Sequence, residues 1–150
     1  MKELRISAAA IIIHKTKLLL VKYNDKDCKT FLVGPGGGVK VEESLTHGLK
    51  REVWEETRLE VQPGRILLVE DLLSQKYRLL KIWFLCSIIG GQLEKTPEAQ
   101  EEGIIDVNWY TKEQLVNQTV YPSIIMGIDW KTLINKDWET QYLDLKHANF

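Results

Sequence analysis

Residues 37–59 read GGVKVEESLTHGLKREVWEETRL, and the helix encoded there decides how the rest of the chain is understood. Ser44 is placed to cap a helix running to about Thr57, with Glu42 and Glu43 at the end where the helix dipole favours carboxylates. At about 100° per residue, Leu45, Leu49 and Val53 share a stripe roughly 80° wide, the face that packs on a sheet. Glu52 lies about 20° to one side of Leu45, Glu56 about 20° to the other and Glu55 about 80° away, so two carboxylates continue the apolar stripe. All three occupy the last two turns, where the negative end of the dipole disfavours each by about 0.3 to 1 kcal/mol, and by more once water is excluded. Stability does not select such a pattern. A divalent cation turns three converging carboxylates from a cost into a benefit, and all-oxygen ligands favour Mg²⁺ or Mn²⁺. The competing reading is an exposed acidic patch balanced by Lys50, Arg51 and Arg58.

Just upstream, Gly34-Pro35-Gly36-Gly37-Gly38 gathers four of the chain's ten glycines. Bare backbone at the start of a helix can offer N–H groups and carbonyls to a phosphate or a metal. The loop is not of the GxxxxGK[ST] type, because no Gly-Lys-Ser/Thr follows, nor of the GxGxxG type, because Gly36 is followed by Gly37-Gly38-Val39.

The remainder of the 150 residues bounds the reading. With 44% hydrophobic and 27% charged residues the chain can bury a core, and residues 1–150 read as a single domain without linker or repeat. A formal charge of −1 leaves no field to gather nucleic-acid polymers or anionic lipid. Apolar runs at 8–13 and 82–89 fall far short of the roughly 20 residues that span a bilayer, and no secretory pattern opens the chain. Cys28 and Cys86 form neither a disulfide framework nor a CxxC pair, which fits two reduced thiols in a cytoplasmic protein.

Strands are expected at 6–13 and 17–23, joined as a hairpin through His14-Lys15-Thr16, and again at 31–33, 66–73, 77–89 and 104–110. Pro63-Gly64 is read as a break, Gly90-Gly91 as a turn and 96–103 as an acidic loop. A short helix at 112–117 follows Thr111, and the tail is helical from Ser123 to about Asn135. Strands on both sides of one strong helix predict an α+β fold, a mixed sheet with helices packed over it.

Taken as a spacing, the quoted segment is Gly37, five residues, Glu43, seven residues, Arg51-Glu52-Val53, one residue, Glu55-Glu56, one residue, Arg58 and Leu59. This resembles the Nudix box, GX5EX7REUXEEXGU with U aliphatic, at eight of its nine specified positions. The resemblance covers 23 residues and implies the Nudix fold, a mixed β-sheet sandwiched between α-helices. It also implies hydrolysis of a nucleoside diphosphate linked to another group, with Mg²⁺ or Mn²⁺. Carried over by position, it makes Glu52, Glu55 and Glu56 metal carboxylates, Arg51 their orienting partner and the Gly36 carbonyl a further ligand. Glu52, Arg51 and Glu56 are then the catalytic set, and Gly37 and Gly38 face substrate. Glu43 looks more structural, as a carboxylate near a helix N-terminus. The departure is Arg58 in place of glycine. If it ends the helix in a left-handed conformation the cost is about 1 to 2 kcal/mol, part of which the dipole and neighbouring glutamates recover.

The implied reaction needs a carboxylate to take a proton from the attacking water. Candidates are Glu52 and a later loop carrying Glu98, Glu101 and Glu102, as in some family members. Tyr77, eighteen residues beyond the box, has a spacing that looks like the subgroup acting on diadenosine polyphosphates. The prolines at 35, 63, 97 and 122 do not match the ADP-ribose subgroup. Nucleoside triphosphates stay open. Trp83, Phe84, Trp109, Tyr121 and Trp130 are available to stack a base, and none is singled out. Two other readings stand beside the hydrolase: a catalytically inactive Nudix-fold module that senses a nucleotide, and an interaction domain unrelated to nucleotides. The expected partner is a small-molecule nucleotide. A homodimer is possible, with Trp138, Tyr142 and Phe150 covering either the core or a partner subunit.

Overall fold

Apolar runs early in the chain become strands divided between two sheets. The computed structural model describes residues 2–24, 27 and 29–149, so the reading of Cys28 and Phe150 lies outside the described residues. In chain order the elements are β1 (Glu3–Ile11), β2 (Ile13–His14), β3 (Lys17–Asn24), β4 (Thr30–Val33), β5 (Gly36–Gly38), α1 (Leu45–Thr57), β6 (Leu59–Leu73) and β7 (Tyr77–Gly91). Then follow α2 (Pro97–Glu101), β8 (Ile104–Tyr110), β9 (Val120–Tyr121), α3 (Trp130–Ile134) and β10 (Gln141–His147), with 3-10 turns at Glu113–Leu115 and Ser123–Gly127. One sheet has the order β10-β6-β7-β1-β5; the other runs β2-β3-β4-β9 with β8 also on β3. Both are mixed: β1 is parallel to β7 and β10 to β6, while β6 and β7 are antiparallel. The α+β class is as expected, with the strands shared between two sheets.

The expected opening hairpin is shorter than the sequence suggested. Ala8 to Ile12 are buried throughout, so β1 belongs inside the first sheet, between β7 and β5. Ile13 and His14 pair with β3, and the Leu19 N–H donates to the Ile12 carbonyl; the turn is Lys15 and Thr16, both at positive φ as a two-residue hairpin turn requires. Pro63-Gly64 does not break a strand. β6 starts at Leu59 and runs through it, and its register against β7 shifts between Pro63 and Ile66, where a residue without an N–H is absorbed as a bulge. Gly90 and Gly91 are the end of β7, paired with Glu60 and Leu59, rather than a turn. The acidic loop contains a helix, α2, with Thr96 as its N-cap and Pro97 in its first turn. The tail is helical only in short pieces, then closes as β10 along β6, and the Trp138 indole donates to the Leu67 carbonyl, so that ring covers the chain's own sheet.

Helix α1 forms where the spacing placed it. The Ser44 hydroxyl accepts from the His47 N–H, and Leu49 and Val53 are fully buried, each contributing about 1.5 to 3 kcal/mol. At its far end Arg58 takes a left-handed conformation, φ 62° and ψ 14°, and its N–H bonds the Trp54 carbonyl. A close approach holds the glycine loop near the sheet: a Cβ on Gly34 would lie 2.5 Å from both the Ala10 carbonyl and the Trp83 ring. The loop therefore runs alongside β1 at the sheet edge and reaches the last turns of α1 through the Gly36 N–H and Glu56.

Candidate active site

The late glutamates of α1 turn inward, and each meets a different neighbour. Glu56 is 1% exposed; its Oε1 accepts from the Gly36 N–H at 2.9 Å, while Oε2 is buried without a hydrogen-bond donor. Glu52 is buried beneath Gly37, whose hypothetical Cβ would come within 2.6 Å of the Glu52 carboxylate. Glu55 is half-buried. Carboxylate oxygens of Glu52, Glu55 and Glu102 lie within 4.8 Å of one another, so the residue following α2 joins two from α1.

Arg51 organises this group. Its Nη1 donates to Glu52 Oε1 at 3.0 Å and Glu55 Oε2 at 3.3 Å, and Nη2 reaches the Gly38 carbonyl at 3.1 Å. The guanidinium is itself gripped by Glu43, Nε to Oε2 at 2.7 Å and Nη2 to Oε1 at 2.8 Å, in a two-bond fork. Glu43 also accepts from the Lys40 N–H, and with Arg51 these contacts hold its carboxyl down at about 2. Glu43 therefore holds the arginine that in turn holds Glu52 and Glu55.

Charge is in excess here. Burial pushes the Glu56 carboxyl well above the usual carboxylate range, the facing Glu102 carboxyl adds to the rise, and the Gly36 N–H opposes it. Burial also raises Glu52, against the pull of Arg51. Arg51 thus meets Glu52 and Glu55 while its two shortest bonds go to Glu43, and Lys81 is a cation that acts on Glu56. An unpartnered buried oxygen on Glu56 and a set of hard oxygen donors fit a divalent cation of the Mg²⁺ or Mn²⁺ kind.

The other expected positions divide. Glu102 enters the cluster; Glu98 instead forms an ion pair with Arg58 at 2.6 Å, and Glu101 is exposed and outside the group. Gly37 and Gly38 line the loop beside Glu52 and Arg51. Tyr77 starts β7 and lies beneath the Arg5 guanidinium, 4.0 Å from its ring centre. It is six residues along β7 from Trp83, which sits in line with Ala9 and Gly36, so about 20 Å along the strand separates it from the level of Gly36. The sequence reading missed Tyr23 and Phe31. Tyr23 stacks on Phe31 at 5.1 Å, and Phe31 meets the exposed Tyr121 edge-on at 5.7 Å. Burial and the nearby Glu56 raise the Tyr23 hydroxyl pKa, which puts this aromatic row beside the carboxylates. A signal was available: Tyr23 and Phe31 are cross-strand partners in the β3–β4 pairing.

Comparisons with known proteins point to a family. The NUDIX domain family model matches residues 3–126. A Danio rerio protein named 8-oxo-dGDP phosphatase NUDT18 is 32% identical over 72% of this chain and 32% of its own length. The ADP-ribose pyrophosphatase of Methanocaldococcus jannaschii is 30% identical over 69% of this chain and 62% of its own. The chain spans only about a third of the length of most curated relatives it matches. Among solved structures, an ADP-ribose pyrophosphatase from Streptococcus suis superposes with a TM-score of 0.71 at 21% identity, covering 92% of this chain and 98% of that one. That likeness speaks for the fold. With eight of nine box positions in sequence, the box glutamates gathered by the fold and a family match over most of its length, the chain belongs to the NUDIX domain family.

Proposed function

We propose that the chain is a hydrolase that uses Mg²⁺ or Mn²⁺ to cleave a phosphoanhydride bond in a nucleoside diphosphate linked to another group. The observation that carries this reading is the convergence of Glu52, Glu55 and Glu102 oxygens within 4.8 Å, beside the buried, unpartnered Glu56 Oε2. Those four carboxylates, with the Gly36 carbonyl next to them in the loop, are the residues that would hold the cation. Once bound, the ion supplies charge neutralisation for the diphosphate and polarisation of the attacking water.

The chain's own residues do the rest. Arg51, held by Glu43, keeps Glu52 and Glu55 aimed at one point, and Glu56 ties the glycine loop to α1 through the Gly36 N–H. Water oxygen bonds to phosphorus, the bridging P–O bond breaks, and the leaving phosphate departs with that oxygen. The water proton goes to a carboxylate of the cluster, Glu52 or Glu102, because Glu98 is engaged by Arg58 and Glu101 is outside the cluster. Tyr121 and Phe31 offer the nucleobase a stacking surface that leads to the carboxylates through Tyr23. This favours a substrate whose base and diphosphate are adjacent. The relatives named as an 8-oxo-dGDP phosphatase and an ADP-ribose pyrophosphatase both fit that description. A reducing, cytoplasmic setting suits the free buried Cys86, its thiol pushed up to about 12 by burial.

The test is product analysis with 8-oxo-dGDP, ADP-ribose, a diadenosine polyphosphate and a nucleoside triphosphate, each with Mg²⁺, with Mn²⁺ and with chelator. Metal-dependent release from at least one diphosphate derivative supports the reading. Tight binding across the panel without turnover would instead assign the nucleotide-sensing alternative, whose sole sequence support, Arg58, keeps the helix end and its carboxylates in place.

A further inference from the structure

We infer that Arg58, the one departure from the box, is a positioning residue that sets Glu102 into the carboxylate cluster by way of Glu98. This rests on the reading of Glu102 as a metal-facing carboxylate. Position 58 is left-handed, a conformation that favours glycine, yet it carries a long charged side chain with defined contacts. The guanidinium lies 4.2 Å from the Trp54 ring centre, Nη1 is 3.3 Å from the Trp54 carbonyl, and the same Nη1 is 2.6 Å from Glu98 Oε2.

The target of that last contact matters. Glu98 is in the first turn of α2 and Glu102 is its C-cap, four residues on, so both carboxylates project from one face of a single helical turn. Glu102 is bound to that turn through its own N–H, which donates to the Glu98 carbonyl at 3.3 Å and the Ala99 carbonyl at 3.1 Å. The segment before α2 is docked on α1 separately: the Glu94 N–H bonds the Thr57 carbonyl and the Thr96 hydroxyl bonds the Glu55 carbonyl. Within α2 only the Ala99 methyl enters the core, and the chain is next fixed at Ile104, buried and paired with Tyr23. The face of α2 that carries Glu98 and Glu102 sends no side chain into the core, so those side chains are held only by what they meet at the surface. The Arg58 to Glu98 pair holds that face to the end of α1, two residues beyond Thr96, and fixes which way Glu102 faces. Glycine at 58 would relax the backbone and remove that contact.

The experiment is Mn²⁺ binding by isothermal titration calorimetry on the full chain and on R58G, R58K, E98Q, R58G/E98Q and E102Q, with melting temperatures in chelator and amide hydrogen exchange over 97–103. The expected result is a dissociation constant for Mn²⁺ raised about fivefold in R58G and in E98Q, and no further in the double variant, because both act through one contact. R58K, which keeps the charge, stays within about twofold of wild type, and E102Q loses at least tenfold. Exchange over 97–103 speeds up in R58G while its metal-free melting temperature does not fall by more than a few degrees. Wild-type Mn²⁺ affinity in R58G together with a weakened E102Q would overturn the role of Arg58 alone. Losses that multiply in the double variant would overturn it too, by giving the two residues separate routes. Wild-type affinity in E102Q would remove the reading of Glu102 and the inference with it.

Discussion

Gly37→Ala isolates the geometry of the carboxylate cluster from the stability of the fold. A Cβ at position 37 would stand 2.6 Å from the Glu52 carboxylate carbon and Oε2 and 2.9 Å from Oε1, with no backbone atom nearer. Ordinary contact begins near 3.4 Å, so Glu52 must retreat by about 0.8 Å. The atoms that yield are the end of a side chain, so the fold pays little: we expect a change under about 1 kcal/mol, or about 2 to 4 °C in melting temperature. Function should be hit much harder. Displacing Glu52 stretches its 3.0 Å bond from Arg51 and opens the group shared with Glu55 and Glu102, and a misplacement of about 1 Å can cost about 10²-fold in rate. The assay is kcat on whichever panel substrate turns over, beside a thermal melt. A fall in kcat of about 10- to 100-fold with a near-normal melt is the expected outcome. Gly38→Ala, whose Cβ meets open space, keeps Glu52 in place and so retains kcat, with its effect confined to KM. Wild-type kcat in Gly37→Ala would refute the claim that the Glu52 position is set by the glycine loop.

Three further outcomes follow from the same contacts. Glu43→Gln removes the charge that grips Arg51, so kcat should fall about tenfold or more in steady-state kinetics, while KM changes little. Glu43 is depressed to about 2, so its stabilising contribution is complete above about pH 4.5 and is lost as pH falls from there toward 2; urea midpoints should decline through that window in wild type and decline less in Glu43→Gln. Glu56 and Glu52 are shifted the other way. Their effect on the metal-free fold is therefore a loss of stability as pH rises above about 4.5, and Glu56→Gln in chelator should melt higher than wild type at pH 8 and converge with it near pH 4.

What could be read in the sequence was local. Ser44, Leu49, Val53 and the three late glutamates lie within one helix, where a fixed angle per residue converts spacing into facing. The strand Ile104–Tyr110 was equally legible, being a short apolar alternation between turn residues. What escaped depended on distant pairing. β10 joins β6 from more than 70 residues away, and nothing in a polar stretch such as Gln141–His147 announces its partner. The same holds for Ala8 to Ile12, which read as half of a hairpin and became the interior of a sheet through β7. The α2 helix is a different kind of miss. Thr96-Pro97 is a good N-cap and first-turn pair, but it was outweighed by the run of acidic residues. That misreading hid the reason Glu102 and Glu98 part company, one into the cluster and one onto Arg58.

A melting curve with increasing Mn²⁺ tests most directly whether the inward-turned glutamates hold a divalent cation. At one hundred times the dissociation constant the wild-type chain should gain about 2.7 kcal/mol, about 5 to 10 °C, and a Glu52→Gln/Glu55→Gln/Glu102→Gln variant should gain almost none. No shift in wild type, or the same shift in the triple variant, would contradict the account.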